Sequence, residues 1–210
     1  MLITSKSCMM RISSLLAIMF IALPLCTQAD ELRVIKTCSL EKGHKASLLA
    51  RPAGAMGVQA YLNIDGDILP AFYRLSEKPL NAYGEDPALG ADDAITGDVY
   101  FAQCVAHTLI FMLDVGQYPP GIAIRFDDKT KAIERIRFAE RTFPQFLYLG
   151  RSDWLLAVPK TALHTGRTTY SIYRYSSNHA NDNDSWDSDT RPKADGYSVY
   201  QLYFGHPRWK

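Results

Sequence analysis

Ile122-Ala-Ile-Arg-Phe-Asp-Asp-Lys-Thr-Lys-Ala-Ile-Glu-Arg-Ile-Arg-Phe138 is the stretch that decides the fold. Two short runs rich in branched and aromatic residues, Ile122–Phe126 and Ala132–Phe138, flank the polar connection Asp127–Lys131. That layout reads as two strands joined in a hairpin. The same pattern recurs upstream. Val58-Gln-Ala-Tyr-Leu-Asn-Ile64 alternates, Asp65-Gly66 follows, and Asp67–Leu75 returns. Asp-Gly between two such runs is a strong hairpin signal, because glycine accepts the positive φ that primed turns need. Pro70 removes a ladder donor and predicts an edge or a bulge there.

Further outward, Glu31–Thr37 and Lys45–Ala50 read as opening strands. Gln145–Leu149 is turned by Gly150-Arg-Ser-Asp153 into Trp154–Val158. Thr168–Tyr175 and Tyr197–Phe204 are expected to form a final pair, with the polar segment Ser176–Gly196 between them. Residues 76–98 read as irregular, with a short helical turn near Pro87–Asp93. Val99–Asp114 is a long apolar run whose length suits a buried strand or a buried helix, and periodicity does not separate the two. Sequential strands mostly neighbour one another. The expected fold is therefore mainly β: a single antiparallel sandwich or partly closed barrel of about 8–10 strands, built from consecutive hairpins with little helix.

The N-terminus carries a different message. Lys6 and Arg11 precede the apolar run Ile12–Leu25, which closes on Thr27-Gln28-Ala29. A basic start, an apolar centre and small residues at the cut describe a cleaved secretory signal. A spanning helix needs about 20 apolar residues, and this run is shorter and broken by Pro24. Leu23-Pro24-Leu25-Cys26 places a cysteine near the cut, but Leu25 stands where a lipoprotein signal carries a small residue. Residues 1–29 are thus expected to be removed, leaving 30–210 as one β-rich exported domain, periplasmic or secreted. Removal takes away two positive charges and turns the formal net charge from +1 to −1. A near-neutral chain gives no reason to expect a nucleic-acid partner, and no second segment is long enough for a stable membrane span.

Export also pairs the cysteines. Cys8 and Cys26 leave with the signal, while Cys38 and Cys104 stay, an even pair in an oxidising compartment. The expectation is a Cys38–Cys104 disulfide closing a loop of about 65 residues, for which chain entropy predicts roughly 4 kcal/mol.

The segment Ser176–Gly196 is the oddest part of the exported chain. Asp182, Asp184, Asp187, Asp189 and Asp195 surround a single large aromatic, Trp186, with His179 beside them. Acids supply hard oxygen ligands, so Ca2+ at residues 181–189 is one reading, but the EF-hand order of alternating acids, glycine and a distal Glu is absent. The expectation is no cofactor and no metal. As a recognition loop, Trp186 would be the apolar anchor, and Asp182, Asp184, Asp187, Asp189 and His179 would meet a basic partner surface. The plainer alternative is a solvated hairpin extension whose Trp folds back on the sheet. Tyr170, Tyr173, Tyr175, Tyr197, Tyr200 and Tyr203 suit sugar stacking or an interface, and suit sheet filling better.

No motif names a reaction. Gly150-Arg-Ser152-Asp153-Trp154 starts like a nucleophile elbow, but Trp stands where the second glycine belongs. His44, His107, His164, His179 and His206 are scattered, and His107, inside the apolar run, reads as a core histidine. Glu77, Glu85 and Asp86 could supply paired carboxylates, but nothing selects them. The resulting expectation is an envelope binding protein, not an enzyme. Its sharpest form is an inhibitor or immunity-type protein that occludes a toxin or hydrolase, with a protein or glycan partner. The rival is a small envelope hydrolase acting on glycan or peptide. A third reading, a self-associating surface component, would use the Tyr-rich C-terminal strand as its pairing edge.

Overall fold

The computed structural model describes residues 31–72, 96–161, 166–176 and 184–203. The expected export signal, the carboxylates Glu77, Glu85 and Asp86, the turn suggested near Pro87–Asp93, and His164, His179, Asp182 and His206 lie outside these residues.

The fold is mainly β and antiparallel, built from consecutive hairpins in two sheets that do not close into a barrel. The larger sheet has eight strands: β1 (Arg33–Ser39), β2 (Lys45–Pro52), β3 (Val58–Ile64), β4 (Asp67–Pro70), β5 (Thr96–Val105), β6 (Thr108–Asp114), β7 (Pro120–Asp127) and β8 (Ala132–Ala139). Their order is β1-β2-β3-β5-β6-β7-β8, with β4 beside β3. The smaller sheet has β9 (Phe146–Leu149), β10 (Asp153–Thr161), β11 (Thr168–Ser176), β12 (Asp184–Ser188) and β13 (Ser198–Gln201), ordered β12-β11-β10-β9-β13. The described residues thus hold thirteen strands where the sequence suggested about 8–10.

The founding hairpin holds, with Asp127 opposite Ala132 and its carboxylate accepting from the Lys129 and Thr130 amides at 3.3 and 3.1 Å. Asp65 and Gly66 close β3 onto β4 with positive φ of 53° and 110°. Pro70 sits in β4, which pairs with β3 alone.

Three apolar clusters stack through the molecule. Leu48, Leu62 and Ile64 of β2 and β3 meet Leu109, Phe111, Ile122 and Ile124 of β6 and β7 in the first. Ile110, Met112, Ala123, Ile136 and Phe138 meet Leu147, Trp154, Leu156 and Val158 in the second. The middle of the large sheet is therefore covered on both faces. This explains why β6, Thr108-Leu-Ile-Phe-Met-Leu-Asp114, is an unbroken apolar run: alternate residues face different cores. Gly121 belongs to the same packing, because a Cβ there would collide with the Phe138 ring.

The ambiguity over Val99–Asp114 resolves as a hairpin of β5 and β6. Ala106 and His107, with φ of 45° and 59°, close it between Val105 and Thr108. His107 is accordingly exposed at a turn and not in the core, with Nδ1 3.0 Å from the Ser39 carbonyl. Beside it, Cys38 and Cys104 form the disulfide, tying β1 to β5 with Cα atoms 5.3 Å apart.

Two expectations about the C-terminal part are corrected. Tyr197–Phe204 does not pair with Thr168–Tyr175; β13 pairs with β9, at the opposite edge of the sheet from β12. The segment 176–196 is not wholly a loop either, since Asp184–Ser188 form β12 against β11. Residues 189–197 then cross the outer face of the small sheet like a strap. The Arg191 guanidinium lies 5.3 Å from the Phe146 ring centroid, and Tyr197 meets Tyr148 edge-on at 6.0 Å. Beneath lies the third cluster, Tyr148, Leu155, Ala157 and Ile172.

Candidate functional site

Pairing register decides what β12 can present. Trp186 lies opposite Ile172, and Asp187 opposite Ser171. Neighbouring residues of a strand face opposite sides, so Trp186 shares the outer face with Ile172 while Asp187 turns inward. The sequence-level picture of Trp186 and its flanking acids as one surface is therefore divided. Trp186 remains 43% exposed.

Asp187 closes a polar groove of about 330 Å3 at the β12 edge, together with Glu140, Lys160, Ser171, Tyr173, Ser185 and Trp186. Lys160 Nζ donates to Asp187 Oδ1 at 2.9 Å and lies 3.5 Å from Glu140 Oε1. Ser171 donates to the same Asp187 oxygen at 3.0 Å, and the Tyr173 hydroxyl donates to Glu140 at 2.8 Å. The hydrogen bond from Lys160, then that from Ser171, holds the Asp187 carboxyl below its ordinary value. Burial works against the Lys160 charge, but the Asp187 bond and the field of Glu140 outweigh it and raise its pKa. Burial, then the bond to Glu140, raises Tyr173.

Asp189 pairs with Arg167 at 3.3 Å, and Asp184 lies opposite Arg174 in register. Two acids of the segment, Asp187 and Asp189, thus pair with Lys160 of β10 and with Arg167 just before β11. Asp184 and Asp187 face opposite sides of β12, so they do not converge on a cation, and no group of three or more potential metal ligands occurs among the described residues. Asp182 and His179 lie outside those residues.

Glu140, Lys160 and Ser171 were not singled out from the sequence. Only strand pairing brings them together, since Lys160 and Asp187 are 27 residues apart. The tyrosines divide: Tyr173 and Tyr175 pack on the middle core, Tyr170 and Tyr197 on the outer one, while Tyr203 is 70% exposed.

The arrangement bears on nucleophilic chemistry. A serine activated by lysine needs a neutral amine as base, whereas Lys160 is held protonated between two carboxylates and Ser171 donates to Asp187. His44 and Asp65 are 2.6 Å apart, but His44 stacks on Phe126 at 3.9 Å, away from the groove. Gly150–Asp153 is a turn between β9 and β10, closed by the Gly150 amide on the Asp153 carbonyl at 2.9 Å. No protein family, curated protein or solved structure matches the chain.

Proposed function

We propose that this protein is an exported binding protein of the cell envelope, of the inhibitor or immunity type, which seats its β12 edge in the cleft of a toxin or hydrolase. The observation that carries the reading is Trp186: a large aromatic, 43% exposed, on an edge strand fixed from behind by Lys160, Ser171 and Arg167. Exposed Trp side chains dominate binding energy where they fill a partner's pocket. A strand already held in place loses little conformational freedom on binding. Among the described residues β12 pairs with β11 alone, so its outer backbone groups can extend a partner's sheet. The acids serve chiefly to hold the strand, and Trp186 with the backbone does the recognising.

The test is affinity capture by the exported domain from its own envelope extract. Trp186→Ala is compared with the unaltered protein and with Tyr203→Ala at the opposite edge. Deleting 182–189 would remove β12 itself, so the point substitution is the cleaner probe. One protein partner retained near stoichiometry, lost at least tenfold with Trp186→Ala and kept with Tyr203→Ala, is expected. Equal capture by Trp186→Ala would overturn the reading.

A further inference from the structure

The border strands of the two sheets differ in charge. Arg33 and Lys36 stand on β1, Asp67 on β4, Arg135 on β8, and Asp184 and Asp187 on β12. Charges on a border keep it from adding to the sheet of another copy. β13 has no such guard, although among the described residues it pairs with β9 alone. From Tyr197 to Phe204 the chain reads Tyr-Ser-Val-Tyr-Gln-Leu-Tyr-Phe, with no charge, glycine or proline. All four residues of β13 are exposed, and so is Tyr203 just beyond it.

Pairing with β9 decides which backbone groups point outward. The Leu202 amide donates to the Gln145 carbonyl at 2.8 Å, which carries the β13–β9 register one residue further. In an antiparallel pair, alternate residues bond to the same neighbour. Ser198, Tyr200 and Leu202 therefore turn their amides and carbonyls to β9, and Val199, Gln201 and Tyr203 turn theirs to the border. Side chains alternate in step. Tyr200 and Leu202 share the face of the middle core. Val199, Gln201 and Tyr203 share the outer face, with Val199 opposite Tyr148 and Gln201 opposite Phe146.

This row is complementary to itself. With Gln201 facing Gln201 of a second copy across a two-fold axis, Val199 falls opposite Tyr203 of that copy, and Tyr200 opposite its Leu202. Val199, Gln201 and Tyr203 are the three residues with outward backbone groups, so this register lets all three exchange hydrogen bonds. On the outer face a branched side chain meets an aromatic one, a pair that stabilises sheets. At the axis the two Gln201 amides can donate and accept reciprocally. No like charges meet. The same operation on β1 or β12 brings like charges together, Arg33 and Lys36 in one and Asp184 and Asp187 in the other.

We propose that the protein forms a two-fold dimer through β13, with Gln201 on the axis and the two small sheets joined into one of ten strands. A two-fold axis normal to the sheet keeps both outer faces on one side. The two Trp186 side chains then point the same way, about 43 Å apart by strand spacing. So short a strand pair buries less than a standard stable interface, and the dimer forms and dissociates with concentration. The dimer does not rest on the Trp186 reading; only the bivalence it confers does.

The experiment is sedimentation equilibrium of the disulfide-bonded exported domain from about 1 µM to about 1 mM. It compares the unaltered protein with Gln201→Lys, Gln201→Glu and an equimolar mixture of the two. The unaltered protein is expected to pass from monomer to dimer. Each variant alone sets like charges together on the axis and should weaken the dimer at least tenfold. The mixture sets opposite charges together and should restore it, which also shows that both variants fold. Tyr203→Ala, outside β13, is the second probe and should weaken the dimer several-fold, while Trp186→Ala should leave it unchanged. A monomer throughout overturns the proposal. So does a dimer that Gln201→Lys and Gln201→Glu each leave intact, or a mixture of folded variants that stays monomeric. None of these outcomes touches the Trp186 reading, because each copy carries a complete β12 edge.

Discussion

The two ends of β10 handle charge in opposite ways. At the Lys160 end one ammonium lies between Asp187 and Glu140, and each carboxylate takes a further hydroxyl donor. At the Trp154 end the Glu134 carboxyl is buried more deeply, its basic neighbour Arg125 stands 3.7 Å away, and the Trp154 indole is its hydrogen-bonding neighbour. The first arrangement is electrostatically complete and stiffens an edge. The second leaves a buried carboxyl short of compensating charge. A buried charge short of partners costs stability; the Trp154 end carries that cost and the Lys160 end does not.

Substitutions at the two ends test this contrast. The largest effect is expected at Glu134. Its carboxyl sits at about 7 against an ordinary 4.5. The folded state therefore holds its proton across that window, and stability falls as pH rises through it. Glu134→Gln should stabilise the protein by about 3 kcal/mol at pH 8 and by less than about 1 kcal/mol at pH 5, read as the shift in urea midpoint at each pH. A gain that does not depend on pH would refute the assignment.

At the other end the sign reverses. Lys160→Met strands Glu140 and Asp187 and should cost about 2 kcal/mol at pH 7 by denaturant unfolding, most of it from the better buried Glu140. Asp187→Asn should cost about 1 kcal/mol, because the hydrogen bonds lose their charge while the shape survives. Its cost should vanish as pH falls well below the ordinary carboxylate value of 3.8, where the unaltered Asp187 is itself protonated. Smallest is Arg167→Ala, which opens a solvent-facing pair and should change the unfolding midpoint by less than about 0.5 kcal/mol in ΔG.

Local pattern was legible wherever a strand has one wet face. Val58–Ile64 alternates because β3 buries Ala60, Leu62 and Ile64 on one side, and Asp65-Gly66 marked its turn. The pattern failed at both extremes of burial. β6 is covered on both faces, so nothing in its run separates strand from helix. Its turn uses Ala106 and His107, which carry no glycine signal. β12 is exposed along nearly all its length and reads as loop. Strand order was beyond local reading, because whether β13 joins β9 or β11 depends on where residues 189–197 cross. The site suffered most from this. Trp186 was visible as an isolated aromatic among acids, but the lysine, serine and glutamate behind it become neighbours only through pairing. Glu134 looked like one polar residue of a hairpin, and its burial follows from the second sheet above it.

The crossing segment 189–197 also has a mechanical consequence. It leaves β12 at one border of the small sheet and re-enters as β13 at the other, gripping the face between through Arg191 on Phe146 and Tyr197 on Tyr148. An antiparallel border strand pulled sideways unzips one rung at a time, the weakest direction in which a sheet can be loaded. Here the tether below β12 runs across the whole sheet, so traction on Trp186 must also lift the Arg191 and Tyr197 contacts before the border can peel. The far border thus acts as an anchor for the near one, and a partner pulling at Trp186 works against the width of the sheet, not a single strand.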